Sequence, residues 1–141
     1  GARTMKSKGW MKNSGIALLG AGWLVSGHLH ADVVSSDGYS VEDFTLRNAA
    51  DLVDVCTVEA KHPDYELAMT FCYGFFEGAA HYDDAVSASE WYDDIVCDPP
   101  GTTRSQAVDV FIRYMQANPQ YGSEPSVDAI FRALVDKWPC E

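Results

Sequence analysis

The sequence predicts an all-α fold, a small helical bundle of about four main helices stapled by two disulfides. Three observations carry this: apolar residues recur at helical spacing in four segments, no segment reads as a committed strand, and four cysteines follow an export-type N-terminus. The length of 141 residues suits one domain of ordinary size once a targeting segment is set aside. With 47% hydrophobic and 22% charged residues, the chain has enough apolar surface to offset the entropy of ordering it.

Residues 1–31 read as a secretory signal peptide with a few residues upstream of it. Lys6, Lys8 and Lys12 form a positive region, Ile16 to Val25 an apolar one, and Leu29-His30-Ala31 a permissive cleavage site ending in a small residue. Ile16 to Val25 is about half the roughly 20 residues that span a bilayer. A membrane anchor or buried helix is therefore the weaker reading. Cleavage after Ala31 would leave residues 32–141 as one helical domain. No cysteine follows the apolar region to serve as a lipid attachment point.

The first helical segment places Ala49, Leu52, Val53 and Cys56 on one face, with Thr45 or Ser40 as candidate N-caps. Lys61-His62-Pro63 ends it. The second, from about Asp64 to Ala85, sets Leu67, Phe71, Phe75, Gly78 and Tyr82 on one stripe. Gly74 and Gly78 share that side. Glycine in a helix costs about 1 kcal/mol relative to alanine, so two of them one turn apart predict that another helix packs closely there.

Cys97-Asp98-Pro99-Pro100-Gly101 is a rigid loop, because consecutive prolines do not sit inside a helix. Thr103 with Gln106 is a capping-box signature opening the third helix, which turns Val108, Phe111, Ile112 and Met115 inward and stops near Asn118-Pro119. After the loop from Gln120 to Glu124, Pro125 enters a first helical turn with Ser123 as cap. The fourth helix turns Val127, Ile130, Phe131, Leu134, Val135 and Trp138 inward and ends at Pro139-Cys140.

Cys56, Cys72, Cys97 and Cys140 form an even set in a small exported chain, which predicts disulfides. Zinc is the competing reading, but no C-x-x-C pair is present to chelate a metal locally. Four cysteines allow three connectivities. If the third and fourth helices are antiparallel, the start of one lies beside the end of the other, which favours Cys97 with Cys140 and leaves Cys56 with Cys72.

Charge is concentrated after the leader. Residues 1–30 hold four of the ten basic residues and none of the 21 acidic ones, so the remainder sets six basic against 21 acidic residues, a net charge of −15. Nucleic acid is then a poor partner, since binding phosphates needs a basic face. Such a field steers the protein toward a basic surface, although acidity can equally serve solubility alone.

Nothing in the sequence specifies an enzyme. Four oxidised cysteines offer no nucleophilic thiol. His28 and His30 lie in the leader, which leaves His62 and His81; His81 near Asp83 and Asp84 reads first as a solvated helix face. Asp83-Asp84 and Asp93-Asp94 belong to no D-x-D-x-D-G calcium loop, so no metal is expected. No G-x-S-x-G elbow and no glycine-rich phosphate loop occurs after the leader, so no cofactor is expected either.

A partner surface needs aromatic anchors with a polar rim. Two segments qualify: Tyr82, Asp83, Asp84, Glu90, Trp91, Tyr92, Asp93 and Asp94 in the acidic aromatic stretch, and Tyr121 with Gly122 at a turn expected to project between two helices. The competing reading is that Trp91 and Tyr92 complete the core beneath a long loop.

Leu52 with Cys56, Phe71-Cys72-Tyr73-Gly74 with Gly78, Cys97 with Pro99, Gln106 with Val110 and Tyr114, Pro119, and Ala133-Leu134 with Trp138-Pro139-Cys140 together form a pattern. It resembles the Rap/Tai family of immunity proteins against type VI secretion amidase toxins, from about Phe44 to Cys140. The resemblance implies a periplasmic, helical, disulfide-bonded and often dimeric inhibitor that occludes the active-site cleft of a peptidoglycan amidase and performs no chemistry. It departs from the family where Asn118 replaces a histidine found in many members, and where Ala88 to Val96 follows no family pattern. Two other functions share these features: a periplasmic acid-stress chaperone and an accessory subunit of a cell-envelope complex.

Overall fold

The computed structural model describes residues 36–141, and the expected signal peptide lies outside the described residues. Four α-helices follow a 3-10 turn at Val41–Thr45: α1 (Ala49–Cys56), α2 (Tyr65–Ser87), α3 (Arg104–Ala117) and α4 (Ser126–Lys137), with a second 3-10 turn, Pro119–Tyr121, between the last two. Among the described residues there is no strand, in agreement with the predicted class.

Helix α1 is the centre of the described domain. All eight of its residues are buried, and it packs against α2, α3, α4 and the first 3-10 turn. A helix apolar on nearly every side is stable only inside other elements. Its N-cap is Asn48, whose side chain accepts from the Asp51 N–H at 3.2 Å. Thr45 therefore lies outside it, and Ser40 precedes the 3-10 turn, where its N–H donates to the Asp43 carboxylate. The other free N–H groups at the start of α1 find carbonyls in the loop before α4. Ala49 N–H donates to Glu124 O at 2.8 Å and Ala50 N–H to Gly122 O at 3.0 Å. The Ser126 hydroxyl completes the junction by donating to Asn48 O at 2.9 Å.

Two buried carboxylates sit on α1. Asp51 accepts from the Arg47 guanidinium and N–H, while Asp54 accepts from Gly38 N–H at 3.1 Å and so ties the incoming chain to the helix. Buried charge is tolerated where such partners satisfy it.

Helix α2 corrects the predicted stripe. Its buried face is Ala68, Cys72, Phe76 and Ala79, while Leu67 is 60% and Tyr82 65% exposed and Phe71 and Phe75 are half-buried. Alanine and cysteine let α1 approach closely, and the Cys56–Cys72 bridge, with Cα atoms 5.3 Å apart, fixes that register. A Cβ added at Gly74 or Gly78 meets nothing within 4 Å, so the close helix contact expected there is not made.

Helix α3 opens on the predicted capping box, with Thr103 Oγ1 accepting from Gln106 N–H at 3.3 Å and Gln106 Oε1 accepting from Thr103 N–H at 2.8 Å. It buries Val108, Val110, Phe111 and Met115, with Ile112 half-buried. Phe111 meets Phe76 of α2 edge to face at 5.5 Å between ring centres. In α4 the fully buried positions are Ser126, Ala129, Ile130 and Ala133. Phe131, Leu134, Val135 and Trp138 are only half-buried, and Val127 is exposed, because the small residues again form the contact face. Pro125 stands just before α4 and not within its first turn; its carbonyl accepts from Ala129 N–H at 3.1 Å.

The second bridge, Cys97–Cys140, spans 43 residues and holds the approach to α3 against the end of α4. No cysteine is free. Both pairs are those favoured by an antiparallel α3 and α4.

Candidate partner-binding site

The end of α2 and the loop that follows it form the most distinctive surface. The loop is tied down at several points. Ser87 donates its hydroxyl to Asp93 O at 3.2 Å, Asp83 Oδ1 accepts from Ile95 N–H at 3.4 Å, and Cys97 N–H donates to Trp138 O at 3.1 Å beside the disulfide. Thr102 closes a turn by donating its N–H and hydroxyl to Pro99 O, with Gly101 at φ 89°, a value that favours glycine.

Between this loop and helices α2, α3 and α4 lies a cleft of about 530 Å³. Phe76, Ala79 and Ile130, all buried, contribute to its floor, and half-buried Leu134 and Trp138 to its wall. Asp83, Asp84, Asp94 and Asp98 line it as well, against a single cation, Arg104. Arg104 is already engaged, since its Nε donates to Glu77 Oε2 at 2.7 Å. Glu77 also faces His81 Nε2 at 3.4 Å. None of the four aspartates has a salt-bridge partner among the described residues.

Three of the residues expected from sequence, Asp83, Asp84 and Asp94, therefore meet in one cleft. Tyr82, Glu90, Trp91, Tyr92 and Asp93 are exposed on the same segment, Trp91 at 85% and Tyr92 at 65%. These two rings do not complete the core. Asp98, Arg104 and Trp138, none of them among the residues expected at the partner surface, line the cleft as well. Asp98 was detectable as the neighbour of a bridged cysteine, but α3 and α4 had to be placed before the other two could be recognised.

Tyr121 and Gly122 lie elsewhere, and neither lines the cleft. Their loop does not project: Gly122 is buried and its carbonyl caps α1. Tyr121 is stacked on Tyr114, ring centres 6.1 Å apart, with the Arg132 guanidinium 4.3 Å from its ring centre. The Arg132 pKa is raised, first by the hydrogen bonds it donates to Glu124, and partial burial raises that of Tyr114.

Two histidines, His62 and His81, fall among the described residues. His62 Nδ1 accepts from Asp64 N–H at 3.1 Å, and His81 rests on Glu77. Among the described residues, no three His, Cys, Asp or Glu side chains converge as metal ligands would, and no helix is long and apolar enough to cross a membrane.

A family model described as Rap1a immunity proteins matches residues 48–140. The match runs from the N-cap of α1 to the last cysteine, and so takes in all four helices, both disulfides and the cleft. No curated protein and no solved structure matches the chain.

Proposed function

We propose that this chain, which belongs to the Rap1a immunity protein family, is exported by a cleaved signal peptide and protects the periplasm by blocking a type VI secretion peptidoglycan amidase. The block is steric. Trp91 and Tyr92 act as anchors on the amidase, and the carboxylates of Asp83, Asp84, Glu90, Asp93 and Asp94 face basic residues around its catalytic groove.

The observation that carries this reading is the exposure of two large aromatic rings within an acidic segment held by the Cys97–Cys140 bridge. Aromatic anchors in a fixed frame lose little conformational entropy on binding, and a few such residues dominate interface energy. The absence of a free thiol fits a blocking role and not a nucleophilic one. Residues 32–141 then constitute the mature inhibitor, with a homodimer as a further feature of this reading.

Two measurements test the proposal. Cells that deliver the amidase to their own periplasm should survive when this chain is co-expressed with its leader and lyse when the leader is deleted. Purified oxidised protein should abolish peptidoglycan cleavage by the cognate amidase. Undiminished cleavage in the presence of excess protein overturns the proposal.

A further inference from the structure

We infer that the cleft between α2, α3, α4 and the 88–103 loop is a receptor for an arginine side chain presented by the protein partner. The inference rests on the immunity reading for the partner's identity, but its chemistry stands on the cleft alone.

An arginine has two unlike parts: an aliphatic stem that packs on apolar surface, and a planar guanidinium that donates in pairs to carboxylates. The cleft offers a counterpart to each. Buried Phe76 and Ile130 supply apolar floor, and Asp83, Asp84, Asp94 and Asp98 supply acceptors. The one cation lining the cleft is already held by Glu77 at 2.7 Å, so the negative field of the aspartates is left uncompensated. A concave wall of low dielectric focuses such a field on whatever enters. The Ile95 N–H holds the Asp83 carboxylate by one oxygen, and the Cys97–Cys140 bridge restrains the backbone next to Asp98, which lowers the ordering cost of binding. A metal ion is a poorer occupant, because among the described residues no three ligands converge.

The test is an amide-resolved NMR titration of the oxidised full-length chain with Nα-acetyl-arginine amide, set against its uncharged isostere Nα-acetyl-citrulline amide. Saturable shifts at Ala79, Thr102 and Ile130 with the arginine probe, and not with citrulline, are expected. Asp94→Asn combined with Asp98→Asn, both at exposed positions that leave the helical circular dichroism unchanged, should weaken the probe about threefold to tenfold. Ala80→Trp, which adds bulk from an exposed position lining the cleft, should abolish the shifts.

Absent shifts, equal response to citrulline, or shifts confined to carboxylates outside the cleft overturn the inference. So do concentration-dependent shifts of the same residues without any probe, which would assign the cleft to a second copy of the chain. The amidase assay separates this from the function proposed above. If the protein inhibits the amidase and the double asparagine variant inhibits equally well, the arginine receptor is wrong and the immunity reading survives. If the probe binds with charge selectivity and no amidase is inhibited, the immunity reading fails and the receptor remains.

Discussion

Trp91 and Tyr92 stand largely exposed outside the core. Replacing both with alanine should change the urea unfolding free energy by less than about 0.5 kcal/mol, as for surface positions generally. The same change should weaken amidase binding by about 2 kcal/mol or more, read by calorimetry, if the rings are the anchors. Tyr39 is a different kind of residue. Its ring meets Phe44 and His62 edge to face, and its hydroxyl donates to Asp64 at 3.1 Å. Burial first, and that hydrogen bond second, raise its pKa, and burial does the same for Tyr114. A raised value favours the neutral phenol in the folded state, so the stabilisation is complete below the unfolded value of about 10 and is lost as pH climbs through the folded one. Urea midpoints should therefore hold steady through neutrality and fall above about pH 10, and Tyr39→Phe should make that fall shallower.

Helix α2 shows where sequence periodicity misleads. Its large residues Leu67, Phe71, Phe75 and Tyr82 fall on one stripe, yet the buried face consists mainly of the smaller Ala68, Cys72 and Ala79 with Phe76. A stripe weighted by size points about one residue round the helix from the true contact, because close packing selects small side chains. Helix α4 repeats the error with Ala129 and Ala133. The caps fared better where their chemistry was specific: Thr103 with Gln106 is a two-way hydrogen-bond pattern, whereas Asn48 needed the exact start of α1. Because a Cβ at Gly74 or Gly78 meets nothing, alanine at either should stabilise the chain by up to about 1 kcal/mol, read as a raised urea midpoint. The loop from α2 to α3 carries the second prediction at this scale. Cys97→Ser with Cys140→Ser should cost about 4 kcal/mol through the 43-residue separation it frees, keep the α1-centred core helical, and abolish amidase inhibition because the aromatic segment loses its frame.

At the scale of the whole domain, residues 36–141 form a buried helix inside three others, with one bridge inside the core and one at the surface. Its helical class, its cysteine pairing and its acidic aromatic segment could be read from the sequence, since each rests on residue type and spacing. The docked Tyr121 loop and the cleft could not, because both arise where segments distant in the chain meet, as Asn48 meets Ser126 and Cys97 meets Trp138. The immunity reading requires this preformed surface to fill an enzyme's groove at full occupancy. The most direct measurement is muropeptide release by a type VI secretion peptidoglycan amidase, titrated with the oxidised protein. The account predicts that release falls linearly and stops at one inhibitor chain per enzyme; undiminished release at a large excess of inhibitor would contradict it.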